Sequence, residues 1–269
     1  MKKLFPAILL LLLVISGFVA KDTMRSVPNE SFSTGEILKY KVHYGPINAA
    51  EAVIDISPGL HRINERACYK ATVYGKTTSS FDLFIKIRDT WQSYIDTAAI
   101  VPHRSFRNIE EGNYRKRETV DFNHYNNTAL VEKKKKSKPK ETSTHKIPNN
   151  AQDIVSGFYY LRTINYDKLK PGDKLNVKGF FDEETFDMVV IFKGRETVST
   201  KVGNIKAIKL VPVMPKNKLF DGENAVSVYL SDDKNKIPVL VQAEMFVGSV
   251  KVDLYEYKNL KHKVYLAKK

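Results

Sequence analysis

Apolar and polar residues alternate with a period of two through most of this chain from residue 36 onward, which confines it to strands with one buried and one wet face. In Ile37–Tyr44, Leu38, Tyr40, Val42 and Tyr44 share one face, while Lys39, Lys41 and His43 take the other. The pattern recurs at Ala50, Ala52, Ile54 and Ile56, across 67–74, at Phe81, Leu83, Ile85 and Ile87, and across 114–122. Turn signals punctuate these runs at Pro58-Gly59, Glu111-Gly112-Asn113, Pro171-Gly172-Asp173 and Gly203-Asn204. Later strands, at 186–192, 205–213, 225–230, 237–247 and 249–257, are more apolar, and Gly248-Ser249 joins the last two. With 14 Tyr and 14 Phe the chain can bury a substantial core, which excludes a disordered, collagen-like or coiled-coil protein. The lone Cys68 makes no intrachain disulfide, so packing must hold the fold together; in its alternating strand it reads as a packing residue.

Helical periodicity interrupts the strands once, near residues 151–163. Ile154, Phe158 and Leu161 recur at helical spacing with Val155 and Tyr159 beside them; Asn150 can cap the segment, and Asp153 suits its first turn. One helix among many strands packs on or inside a curved sheet, because a parallel α/β fold needs repeated crossover helices. The expected fold is therefore all-β and mainly antiparallel, an open or distorted β-barrel holding one helix. It occupies 32–260 as one domain, between a flexible segment at 21–31 and a basic tail at 261–269.

The first 20 residues read as a secretory leader: Lys2 and Lys3, an uncharged apolar stretch of about 16 residues containing Pro6, then Ala20 before Lys21 and Asp22. That stretch falls short of the roughly 20 apolar residues that span a bilayer. No cysteine follows it to be acylated, so the expectation is a periplasmic protein that is not a lipoprotein. Removing the two leader lysines takes the formal charge from +14 to +12. A chain this basic is drawn to anionic lipid or acidic polysaccharide, and nucleic acid is not expected in that compartment.

Chemistry is harder to find. His43, His61, His103, His124, His145 and His262 are scattered, none at metal-ligand spacing, and most are expected at the surface; no metal or cofactor is expected. No Gly-x-Ser-x-Gly elbow, phosphate loop or dinucleotide glycine pattern occurs. Asp232 and Asp233 sit in a polar hairpin tip, where Asp serves turn chemistry. Trp91 and Tyr94, flanked by Asp89 and Asp96, read as core or as the wall of a cleft. Arg162 complements the helix end, and if the helix lies inside the barrel it can pair with Asp89 or Asp96. Trp91, Tyr94, Phe158, Tyr159 and Arg162 make up the candidate ligand-binding set.

Residues 133–140 hold six lysines, Lys133, Lys134, Lys135, Lys136, Lys138 and Lys140, within a lysine-rich loop expected to extend to 149. The plainer reading is a solvated hairpin tip, and the sharper one a contact with an anionic membrane or polysaccharide. Aromatics are not interleaved there, which argues against stacking on bases. Asp22-Thr-Met24 and Asp96-Thr-Ala98 resemble O-glycosylation acceptor sites of Bacteroides-type exported proteins.

Three stretches occur in an order and spacing that resemble a known family: Asp89-Thr-Trp-Gln-Ser-Tyr-Ile-Asp96 with Val101-Pro-His-Arg-Ser-Phe106; Asp153-Ile-Val-Ser-Gly-Phe-Tyr-Tyr-Leu-Arg162; and Val228-Tyr-Leu-Ser-Asp-Asp233 through Ile237-Pro-Val to Val247-Gly-Ser-Val250. The resemblance is to the exported bacterial domain of unknown function 3108, over roughly residues 32–260. It implies location and fold but carries no catalytic residue, since none is assigned. By looser analogy, an exported open barrel with one helix is similar to periplasmic lipoprotein carriers that cradle acyl chains. The functional expectation is a non-enzymatic protein that binds a lipid, lipoprotein or other amphipathic envelope component. A protein- or polysaccharide-interaction module is the alternative, and a hydrolase is a third.

Overall fold

The computed structural model describes residues 24–213, 225–245 and 248–267. The expected leader at 1–20 and the Asp22-Thr-Met24 acceptor lie wholly or mainly outside the described residues. The first strands are β1 (Ile37–Tyr44), β2 (Ile47–Ile56), β3 (His61–Ile63), β4 (Arg66–Thr77), β5 (Arg88–Asp96), β6 (Pro102–Glu111), β7 (Tyr114–Asn123), β8 (Thr128–Lys135) and β9 (Glu141–Lys146). After helix α1 (Ile154–Arg162) come β10 (Lys174–Phe181), β11 (Glu184–Thr200), β12 (Gly203–Pro212), β13 (Val226–Ser231), β14 (Pro238–Glu244) and β15 (Ser249–Lys258).

Among the described residues these strands form one antiparallel sheet in the order β10-β11-β12-β13-β14-β15-β1-β2-β4-β5-β6-β7-β8-β9, with β3 paired only to β4. The β1–β15 pairing joins the two halves of the chain. Consecutive hairpins explain the order, since strands linked by short turns pair with their neighbours. The sheet bends at bulges, for example at Lys39/Tyr40 in β1 and at Gly194 in β11, where φ is +107°. The fold expected from the alternation is the one observed: among the described residues, an open curved antiparallel sheet with one α-helix packed on it.

The edges β9 and β10 do not pair. The chain leaving β9 runs along β10 instead: Gln152 N–H donates to Lys178 O and Phe180 N–H to Gln152 O. Across the same seam, Asp182 in the β10–β11 turn meets Arg107 and Lys116, and Glu183 meets Lys133 and Ser143. Burial opposes the Asp182 charge, but Lys116 and Arg107 hold its carboxyl down at about 2; Lys133 and Ser143 hold Glu183 at about 2.

Four local expectations change. Residues 81–87 are not a strand: Phe81–Leu83 form a 3-10 turn leading to Phe84, because Asp82 is held by Thr77 and by both terminal nitrogens of Arg88. Asp153, not Asn150, caps α1, exchanging bonds with Ser156 in a capping box while Asn150 turns the chain at φ +56°. The segment at 24–31 is tied down, with Val27 N–H donating to Ala98 O and Arg25 to the Ala99 and Ile100 carbonyls. The tail is also engaged, through Asn235–His262 bonds and an Ile205–Leu266 bridge.

Candidate functional site

Helix α1 divides the concave face of the sheet. Towards β2, β4 and β5 it sends Val155 and Tyr159, which pack with Phe32, Ile56, Ala71 and Ile95. Ser93 Oγ anchors the start of the helix by donating to Asp153 Oδ2 at 2.6 Å. On this side only a small gap of about 20 Å³ remains, between the first turn of α1 and β5–β7.

Towards β10–β14 the packing is incomplete. Ile154, Phe158 and Leu161 face Val177, Met188, Val190, Leu210, Val228 and Val241 across a cavity of about 150 Å³. Phe158 is 37% exposed at this site, where a core aromatic would normally be covered. Phe186 closes one wall by lying against Gly179: a methyl there would meet its ring at 2.1 Å. Among the described residues the polar lining is confined to Gln152 and Asp153. Gln152 is buried, its Nε2 donates to Ile100 O, and its Oε1 has no partner among the described residues. An open apolar concavity of this kind, with two polar residues at one end, suits an apolar guest.

The expected site residues do not form one site. Phe158 lines the groove, whereas Tyr159, one residue on, is buried on the opposite side of α1 against Phe32. Trp91 stacks on Phe181 at 5.7 Å with the Arg107 guanidinium over both rings, at the seam. Tyr94 points to the other face of β5, beside His61 and Lys70. Arg162 is buried, and neither Asp89 nor Asp96 is its partner. Its terminal nitrogens donate to Glu36 Oε1 and Oε2 at 2.6 and 2.7 Å, and further bonds reach Asn235 O and Ser31 O. Asp89 accepts from Glu110 N–H, and Asp96 is taken by Arg66, His103 and the amides of Ala98 and Ala99.

The groove walls from β10, β11 and β13 were not singled out from sequence. Each reads only as a buried strand face, and nothing in a single strand tells a filled interior from an open one. His103 and His124 also depart from expectation, being buried with rings 5.8 Å apart. Burial pushes His124 down to about 4, although its Nε2 donates to Pro102 O. Burial pushes the Cys68 thiol up to about 12, as suits a packing residue. Among the described residues no group of three or more His, Cys, Asp or Glu is arranged to hold a metal ion.

The lysine-rich segment is a hairpin, not a loop to 149. Lys133, Lys134 and Lys135 belong to β8, 136–140 form its tip, and β9 follows. Lys133 pairs with Glu141 and Glu183, and Lys140 with Glu132, whereas Lys134, Lys136 and Lys138 are exposed. In the hairpin tip before β14, Asp233 Oδ1 accepts from Ser231 Oγ and the amides of Asn235 and Lys236, which is turn chemistry.

Comparison with known proteins adds fold and family. The chain is similar to a β-barrel-like protein of domain of unknown function DUF1849 from Brucella abortus, with a TM-score of 0.52 and 11% identity over 90% of this chain and 99% of that one. A candidate lipoprotein from Parabacteroides distasonis is a looser likeness, with a TM-score of 0.34 and 11% identity over 87% of this chain and 99% of that one. No curated protein matches the chain. The DUF3108 family, described as protein of unknown function, matches residues 39–255, a span that contains the whole curved sheet from β2 to β14, helix α1 and all three of the sequence stretches quoted above, so the chain belongs to that family.

Proposed function

We propose that this chain is an exported, periplasmic binding protein that takes up an amphipathic envelope component, such as a lipid or the acyl part of a lipoprotein, with the apolar part in the groove between α1 and β10–β14. The observation that carries the reading is the groove itself: an apolar cavity of about 150 Å³ beside a partly exposed Phe158, against a gap of only about 20 Å³ on the other side of the helix. An interaction module with a filled interior would have no need of it. The unpartnered Gln152 Oε1 suits a ligand whose polar end offers a hydroxyl or amide donor. Export is supported by the leader-like first 20 residues, and no described helix is long and apolar enough to cross a membrane.

Titration with a fatty acid carrying an environment-sensitive fluorophore tests the site. Saturable enhancement is expected, and Met188→Trp, which fills the groove from β11, should reduce affinity at least about tenfold. Absence of saturable uptake, or equal uptake by a folded Met188→Trp protein, would sink the proposal.

A further inference from the structure

A second feature lies at the end of the sheet where the β4–β5, β6–β7 and β8–β9 turns gather. Leu83 and Phe84 are 87% and 81% exposed, Ile85 and Tyr114 are also exposed, and all four are large and apolar. Single exposed apolar residues need no explanation, but a contiguous group does. The group is contiguous: Gly112 N–H donates to Lys86 O, Ile87 bridges to Glu111, and Ile85 lies beside Gly112. The loop is also held in place. Asp82 accepts from Thr77 Oγ1 and from both ends of the Arg88 guanidinium, so Leu83 and Phe84 are fixed outward instead of folding beneath the sheet.

Cations surround these side chains. Register places Asn108, Arg117 and Lys134 in one row across β6, β7 and β8, and Glu110 and Arg115 in the next, where Lys136 N–H bonds to Arg115 O. These residues line one shallow pocket on the outer face. Lys86, Arg115, Arg117, Lys134 and Lys136 are all exposed; the carboxylates among them are Glu111, Glu110, which accepts from Asn108 and lies 3.9 Å from Arg115, and, behind them, Asp89. Lys116 also borders that pocket, but its ammonium turns inward to Glu118 and Asp182.

We propose that this rim docks on an anionic bilayer, with Leu83 and Phe84 entering the interface and the cations lying over acidic headgroups. Exposed apolar prongs set within a basic surface are the arrangement that partitions into a charged membrane interface. An acidic polysaccharide would use the cations but leave Leu83 and Phe84 without a role. The rim is separate from the groove, so it stands or falls independently of the proposed ligand.

Vesicle flotation tests it, using protein recovered after export in a two-membraned host. One set of vesicles is phosphatidylcholine alone; the other is an equal mixture of phosphatidylcholine and phosphatidylglycerol. The expected result is flotation with the mixed vesicles only, declining as salt rises. Leu83→Ser with Phe84→Ser should weaken binding by at least about tenfold, and Lys134→Gln by about fivefold. All these positions are exposed, and unchanged thermal unfolding confirms that each variant folds. The proposal is overturned if the native protein stays unbound with mixed vesicles, if the Leu83/Phe84 variant floats as well as the native chain, or if only dextran sulfate, as a polyanion without a bilayer, retains the protein.

Discussion

Arg162 is fully enclosed, and its charge survives there because Glu36 supplies a bidentate partner while Ser31 and Asn235 carbonyls take further donors. Burial alone would lower its pKa, yet the Glu36 carboxylate raises it. Removing one member of such a pair strands the other, so Glu36→Gln should cost about 3–5 kcal/mol in urea denaturation. A smaller loss from Glu36→Leu with Arg162→Met would show that the cost is the stranded charge. The importance of Arg162 was legible at the end of an apolar helix; its partner was not, because Glu36 lies 126 residues away at the start of the first alternating run. His124 gives a pH prediction. Its folded-state pKa of about 4 lies below the ordinary 6.5, so the neutral ring favours the fold above pH 6.5, and that contribution disappears as pH falls towards 4. Asp96, held low by His103, Arg66 and backbone amides against the opposing effect of burial, gives up its contribution only at lower pH, below its ordinary 3.8. Unfolding measured from pH 7 to pH 4 should therefore show a loss of about 3 kcal/mol from His124, removed in His124→Gln. Equal pH slopes in the native and variant proteins would contradict this.

At the scale of elements, strands were legible wherever alternation coincided with burial, as in β1, β7 and β12. The misreading of 81–87 shows the limit. Phe81, Leu83, Ile85 and Ile87 alternate as a strand would, but Thr77, Asp82 and Arg88 offer the backbone a hydrogen-bonded turn instead. Helix α1 was legible from its spacing, and its cap was displaced by three residues because Asp153 both satisfies Ser156 N–H and receives Ser93 Oγ. The β10–β11 hairpin depends on a close approach that no periodicity reveals. At Gly179 an added methyl meets the Phe186 ring, so Gly179→Ala should destabilise the protein by about 1–3 kcal/mol, and Phe186→Leu in the same chain should recover most of it. No recovery in the double variant would mean that the glycine serves the backbone rather than the ring.

At the scale of the whole molecule, the decisive property is that, among the described residues, fourteen strands curve in one continuous order without the edges β9 and β10 pairing. The helix segment and the Asp182 and Glu183 side chains hold the seam instead, and the helix buries Val155 and Tyr159 on one side of the concavity while the larger opening lies on the other. A curved antiparallel sheet around one helix was readable from the alternation and the single helical stretch. That the β10–β14 side retains open apolar space was not, because a buried strand face has the same pattern whether its neighbour is a side chain or a guest. Native mass spectrometry of protein recovered after export, followed by solvent extraction, bears most directly on the central claim. A stoichiometric amphiphile should accompany the native chain and be missing from Met188→Trp; native protein that carries no mass beyond the chain and any attached sugars, in repeated preparations, would contradict the account.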